Sequence, residues 1–354
     1  MNWYCKLTAI SVLVTFPLAG CGGGSGSAGT PVTGVTTSTG GGSGSTTSAT
    51  LVTSVPPATY TANSANATIY QELNTLRSGI GSGLLTQNAA LDQSSVAHLQ
   101  YLQKNGIADP SFHIETQGQT GFTGADPSTR AAAAGYTASL IGEVGYAALV
   151  ANGNLASVNS WSDSVYHIVA ILGNQRDVGV ACSDAPLPDN TTGQPVTQSI
   201  CVSDFGIQST AQGQLPTSGT VLAYPYNNQT NVPTGFKNQS ESPIPAPDLD
   251  GVGQPIVVNL NDTVSDVKTF TITTAAGAAV QARIMVASAS VTGNGLTVDA
   301  NMASEGMSGF VVLLPTSTLQ PNTQYNVSFA AVGTTFSGAY TKTWSFTTGS
   351  LTSY

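Results

Sequence analysis

Two histidines, the glutamate between them and a serine-flanked tryptophan mark the stretch where this sequence concentrates its chemistry. From His113 to Cys182 the chain contains FHIETQGQTGFTG, STRAAAAGY, IGEV, NSWSDSVYHIVAIL and RDVGVAC, and so His113, Glu143 and His167. Only 8% of the residues are charged, so ionisable side chains gathered in one stretch are the default candidates for a site. Ser162 or Ser164 beside His167 has the composition of a Ser-His pair. No G-x-S-x-G elbow sets up a nucleophile, however, and serine is abundant throughout the chain. The early GGG runs lack the strand-to-helix setting of a phosphate loop. Asp126-Pro127 with Arg130 reads as a turn and a helix start. His98, the remaining histidine, falls beside the buried stripe of a helix and reads as a packed side chain.

Composition narrows the function classes. Average soluble chains carry roughly 25% charged residues; here Ser, Thr, Asn and Gly do the solvating, as suits an exported, β-rich protein. The hydrophobic share of 40% is enough to build cores. A net charge of −9 and a pI near 4.5 exclude nucleic acid and anionic membrane as electrostatic partners. A length of 354 residues predicts two or more domains.

Residues 1–20 read as a leader: Lys6 precedes the apolar run LTAISVLVTFPLA, which is too short to span a membrane as a stable helix. The run ends in Leu18-Ala19-Gly20-Cys21, which resembles the bacterial lipobox. That resemblance implies cleavage before Cys21, acylation of this cysteine and a lipid bilayer as partner. Gly22 does not look like an inner-membrane retention signal, so the expected location is the cell envelope, at the outer membrane or the cell surface. Residues 21–58 follow as a Gly/Ser/Thr-rich tether reaching roughly 30–35 Å.

Helical periodicity begins near Asn66, with Ile69, Leu73 and Leu76 on one stripe ending near Gly79. A second helix is predicted over 87–104, with Leu91, Ser95, Leu99 and Leu102 on one face and a stop at Asn105-Gly106. STRAAAAGY predicts a short helix capped by Ser128 or Thr129 and stopped by Gly135. Another helical region is expected over 154–172. DVGVACSD and QSICVSDFG then alternate like the two strands of a hairpin, and each carries a cysteine. In an exported chain Cys182 and Cys201 are expected to form a disulfide.

Residues 208–217 read as a polar linker. Over 218–348 the helix signals fade, and strands are predicted near 219–223, 255–260, 267–273, 280–287, 309–314, 323–331 and 341–347. Residues 349–354 form a tail. Such strands favour a β-sandwich. Tyr325 in LQPNTQYNVSF has the position of a tyrosine corner, and Trp344 and Phe346 alternate toward a core. YPYNNQTNVPTGF and TKTWSFTT resemble bacterial Ig-like modules.

Residues 59–207 resemble the CAP superfamily of cysteine-rich secretory, antigen 5 and pathogenesis-related proteins. The pieces occur in order: Leu73-Asn74-x-x-Arg77, NAALDQSSVAHLQYLQKNG, His113, Gly142-Glu143, Trp161-Ser162-Asp163-Ser164-x-x-His167 and Val178-Gly179-Val180. The resemblance implies an α+β chain: an α/β/α sandwich with an antiparallel sheet, then an all-β Ig-like sandwich. It also implies a cleft lined by two histidines and two acids. His113, His167 and Glu143 match three of these positions, whereas Ser164 stands where the second glutamate is expected. Asp163 is one candidate for the missing carboxylate. Glu115 is the other, since an extended His113-Ile114-Glu115 would put both side chains on one face.

Two neutral imidazoles and a carboxylate make a three-ligand set for Zn²⁺ or another divalent cation, with affinity falling as pH drops through ~6. The same residues could instead form a hydrogen-bonded network that tightens the cleft. Two functions follow from the resemblance. The first is a surface-anchored binding module for an unidentified protein, glycan or lipid. The second is a metal-dependent, peptidase-like hydrolase with Glu143 as general base.

Overall fold

The computed structural model describes residues 50–107, 112–149, 159–188, 195–237, 241 and 243–350. The leader, Cys21 and most of the tether lie outside these residues, as do positions 154–158 of the helical region expected over 154–172. Among the described residues no helix is long and apolar enough to cross a membrane. The chain is mixed α and β.

In the first region, helix α1 (Ala65–Ile80) starts at Ser64, whose hydroxyl accepts from Ala67 N, and ends at Gly81 with φ 87°. The left-handed backbone there is where glycine carries no steric penalty. After the short strand β1 (Thr86–Gln87), Asn88 caps helix α2 (Ala89–Asn105), which buries Leu91, Ser95, Leu99 and Leu102 as the stripe predicts. Helix α3 (Pro127–Ala133) is capped by Asp126 rather than by Ser128 or Thr129. The Asp126 carboxylate accepts from Thr129 N while the Thr129 hydroxyl returns to Asp126 N, and Pro127 fills the first helical position, where its missing N–H costs nothing.

Strand β2 (Ala138–Leu149) leads into α4 (Asn159–Ser162) and α5 (Ile168–Leu172). A helical region was expected over 154–172, and the described part of it is two short helices separated by a turn. Ser164 instead turns its hydroxyl onto Trp161 O at 2.8 Å, a local bond that competes with the helical ladder, and His167 is left at the start of α5. Strands β3 (Asp177–Pro188) and β4 (Pro195–Gln208) form the expected hairpin, with Cys182 opposite Cys201 and disulfide-bonded to it. The sheet order is β1-β3-β4-β2. Helix α2 lies directly on it at Gly179, where any Cβ would come within 2.1 Å of the Leu91 backbone.

The second region continues through β5 (Leu222–Tyr224), β6 (Gln229–Val232), β7 (Gly235–Lys237), β8 (Gly251–Gly253), β9 (Ile256–Asn259) and β10 (Val264–Thr274). Then come β11 (Ala282–Val286), β12 (Thr292–Gly293), β13 (Leu296–Val298), α6 (Ala300–Ser304), β14 (Phe310–Pro315), β15 (Gln324–Gly333) and β16 (Ala339–Thr348). All seven predicted strands are present; the remaining short strands and α6 carry too little periodicity to be read from sequence. Two five-stranded sheets form, β12-β10-β15-β16-β6 and β13-β11-β14-β9-β5. They enclose one core that includes Val258, Phe270, Val311, Phe329, Trp344 and Phe346. Tyr325 OH accepts from Gln320 N at 2.8 Å, which holds the turn before β15.

The two sheets differ in what covers their outer faces. Strand β15 alternates buried and open positions, as a sheet with one solvated face should. In β9 and β14 every residue is buried. Val258 and Val311 face the sandwich core, while Val257, Val312 and Leu314 join a second core with Ile69, Leu73, Trp161, Val165 and Ile171. The sheet containing β9 and β14 is therefore a floor for the first region as well as a wall of the sandwich.

The expected linker is pinned to the first region. Gln214 accepts from Val52 N at 2.7 Å and donates to Leu84 O and Gln175 O, both at 2.8 Å. The tether likewise stops earlier than expected, because Arg176 donates to Thr50 O and Val55 and Ala58 pack on the core. Arg77 is fully buried without an acid and donates to Gly83 O, Ile171 O and Gly173 O, tying α1 to the end of α5.

Candidate functional site

His113 lies in the turn before Ile114, not on a strand. Its Nδ1 meets Glu143 Oε1 at 2.7 Å. Glu143 points from β2 into the interior, and its other oxygen accepts from Arg130 Nη2 of α3 at 2.7 Å. Arg130 Nη1 donates to His113 O at 3.0 Å, which closes a ring of contacts around the turn. Burial by itself would raise the Glu143 pKa. Arg130, His98 and His113 outweigh it and hold this carboxyl well below the usual range. A carboxylate held this way is a weak base, and both its oxygens are already engaged.

Glu115 does not join His113. Because the segment turns rather than extends, Glu115 accepts from His98 Nδ1 at 2.9 Å, Thr123 N at 2.6 Å and Gly124 N at 3.3 Å. His98 Nε2 lies 2.6 Å from Phe112 O, so each of its ring nitrogens faces an acceptor. His98 is thus the packed side chain expected of it, bracing the loop that carries His113.

Asp204 on β4 was not anticipated. It stands directly across from Glu143 in the sheet register, fully buried, and accepts from Ser95 at 3.2 Å. Burial and then the Glu143 charge raise its pKa well above the ordinary value. Its phase with the core residues Ile200 and Val202 was the available signal.

His167 is built differently. Its Nδ1 lies 2.9 Å from Ser164 Oγ and 3.2 Å from Oε1 of Glu241, a residue of the second region. Glu241 also accepts from Val165 N at 2.8 Å and Tyr166 N at 2.6 Å. Asp163, offered above as the missing acid, faces elsewhere: its Oδ1 accepts from Ser162 at 3.4 Å. Burial first, and then the Asp163 charge, raise the pKa of Tyr224. Glu241 lies in the proline-rich stretch SESPIPAPDLD, which has no periodicity to reveal it.

The two histidines share one pattern. Each Nδ1 is held by a carboxylate, each ring is buried, and neither Nε2 has a hydrogen-bond partner among the described residues. Burial lowers the His113 pKa against the pull of Glu143, with His167 and His98 adding to the lowering. With Nδ1–H donated to Glu143, the Nε2 lone pair is left for a ligand. Among the described residues no three His, Cys, Asp or Glu side chains are grouped to hold a metal. Glu143 thus stands behind His113, and Glu241 stands beside the Nδ1 of His167.

No known protein family and no curated protein matches the chain.

Proposed function

We propose that this chain is an envelope-anchored lipoprotein in which a CAP-type domain serves as a binding module, followed by an Ig-like sandwich. In this reading His113 and His167 take a divalent cation such as Zn²⁺ through their Nε2 atoms. The observation that carries it is the pair of buried imidazoles whose Nδ1 atoms lie against carboxylates and whose Nε2 atoms have no hydrogen-bond partner among the described residues. That is the arrangement in which a metal-ligating histidine is oriented by its outer neighbour. A bound cation would supply a Lewis-acidic point for an anionic or carbonyl group of a protein, glycan or lipid ligand.

Glu143 argues for binding over hydrolysis. A general base must hold a lone pair in reach and a pKa near the working pH. Glu143 is held ionised by Arg130 and has both oxygens occupied.

Calorimetric titration of Zn²⁺ into a soluble chain lacking the leader and Cys21 tests the reading, beside the His113→Ala/His167→Ala variant. Micromolar or tighter binding that the variant loses is the expected result. No binding by the parent chain refutes the metal site. Turnover of peptides by the metal-loaded protein, abolished by chelation, would favour the hydrolase instead.

A further inference from the structure

We propose that Glu241 is the carboxylate that completes the histidine site, so that the site is a joint product of both regions and the sandwich is part of it rather than a spacer. This rests on the binding-module reading and names a positioning residue within it.

Hydrogen-bond direction carries the argument. The Ser164 hydroxyl donates to Trp161 O, so it can only accept from His167 Nδ1. Glu241 Oε1 is an acceptor as well. With two acceptors and no donor before it, Nδ1 carries the hydrogen and Nε2 keeps its lone pair. Glu241 is 1% exposed, takes the N–H groups of Val165 and Tyr166, and holds Oε1 3.2 Å from the imidazole Nδ1. It therefore sets both the path of the backbone into His167 and the tautomer of its ring. Glu143 does the same for His113 from inside the first region.

The second region grips this segment at further points. Gln254 donates to Ser162 O at 3.1 Å, Tyr166 OH to Asp299 at 2.8 Å and Asn259 to Leu172 O at 2.9 Å. Glu241 thus occupies the role left open where Ser164 replaces the acid of the resembled family.

The experiment is nitrogen NMR of the histidine side chains in the whole folded, metal-free chain, comparing the parent with Glu241→Gln and Glu241→Asp. In the parent, His113 and His167 should both show hydrogen on Nδ1. In Glu241→Gln the amide can donate as well as accept, and His167 should shift to a mixture of tautomers while His113 stays unchanged. Zn²⁺ affinity should fall ~10–100-fold. Glu241→Asp keeps the carboxylate and should retain the parent tautomer, which separates positioning from a loss of fold. Ser164→Glu combined with Glu241→Ala returns the acid to the first region and should restore the Nδ1–H tautomer. An unchanged His167 spectrum in Glu241→Gln, with Zn²⁺ affinity within twofold of the parent, overturns the proposal. Failure of the parent chain to bind Zn²⁺ refutes the metal reading alone, because the tautomer measurement needs no metal.

Discussion

Around His113 every partner comes from the first region: Glu143 from β2, Arg130 from α3, and Glu115 with His98 behind the turn. Around His167 the decisive partner comes from the second region: Glu241 takes two backbone N–H groups and lies 3.2 Å from Nδ1, and among the described residues no Lys or Arg pairs with it as Arg130 pairs with Glu143. The two halves present the same chemistry on different foundations. One is a buried ion network with its charges matched. The other is a buried anion held by hydrogen bonds across a packed interface. The first half should answer to charge removal, the second to whatever loosens the contact between regions.

Glu143→Ala should produce the largest effect. It takes from buried Arg130 the carboxylate at 2.7 Å and leaves Glu115 at 3.8 Å, at a cost of about 3–5 kcal/mol by denaturant titration. Glu241→Ala removes an anion with no buried cation to strand, and should cost about 1–3 kcal/mol, mainly for the N–H groups of Val165 and Tyr166. Equal losses would break the distinction between the halves. Reduction of the Cys182–Cys201 disulfide, whose cysteines lie 19 residues apart, should cost about 2–3 kcal/mol. It should leave both histidine tautomers as they were.

The halves should also respond to pH with opposite signs. Burial lowers the His113 pKa from 6.5, so the folded state refuses a proton that the unfolded chain accepts. The stability it contributes is present above pH 6.5 and is lost as pH falls below that value. Glu305, at the end of α6, is buried near the Glu241 charge, and these raise its pKa from 4.5 to about 7. Its stabilising contribution is complete below pH 4.5 and is lost as pH rises through 7. Glu305→Gln should therefore remove this fall with pH between these limits and gain about 1–2 kcal/mol at pH 8. Equal pH profiles for the parent chain and Glu305→Gln would remove the contrast. The smallest change is expected for Ser164→Ala, about 0.5–1.5 kcal/mol, with the His167 tautomer preserved by Glu241.

Much of the framework was legible before any fold was known. The stripe through Ile69 and Leu73, the caps at the ends of α1 and α2, the hairpin with its cysteines and the strands of the second region all rest on spacings of a few residues. Such local signals act within one turn or one strand pair, and the chain carries them wherever it goes. The candidates His113, Glu143 and His167 belong to the same class, since charged and imidazole groups stand out in a chain poor in charge.

The partners of those residues were not legible. Glu115 and Asp163 were the nearest acids in sequence, and each turned to another donor because the backbone around it bends rather than extends. The acid that reaches His167 comes from beyond the hairpin and the first strands of the sandwich. The all-buried runs IVVN and FVVLLP declared that β9 and β14 have no solvated face, but not what would cover the second one. Residue types and local periods thus determined the elements, the disulfide and the two histidines. Which carboxylate stands behind each imidazole was decided only by packing, because a hydrogen bond depends on distance and direction in space, and these are settled only when the first region docks on the sandwich.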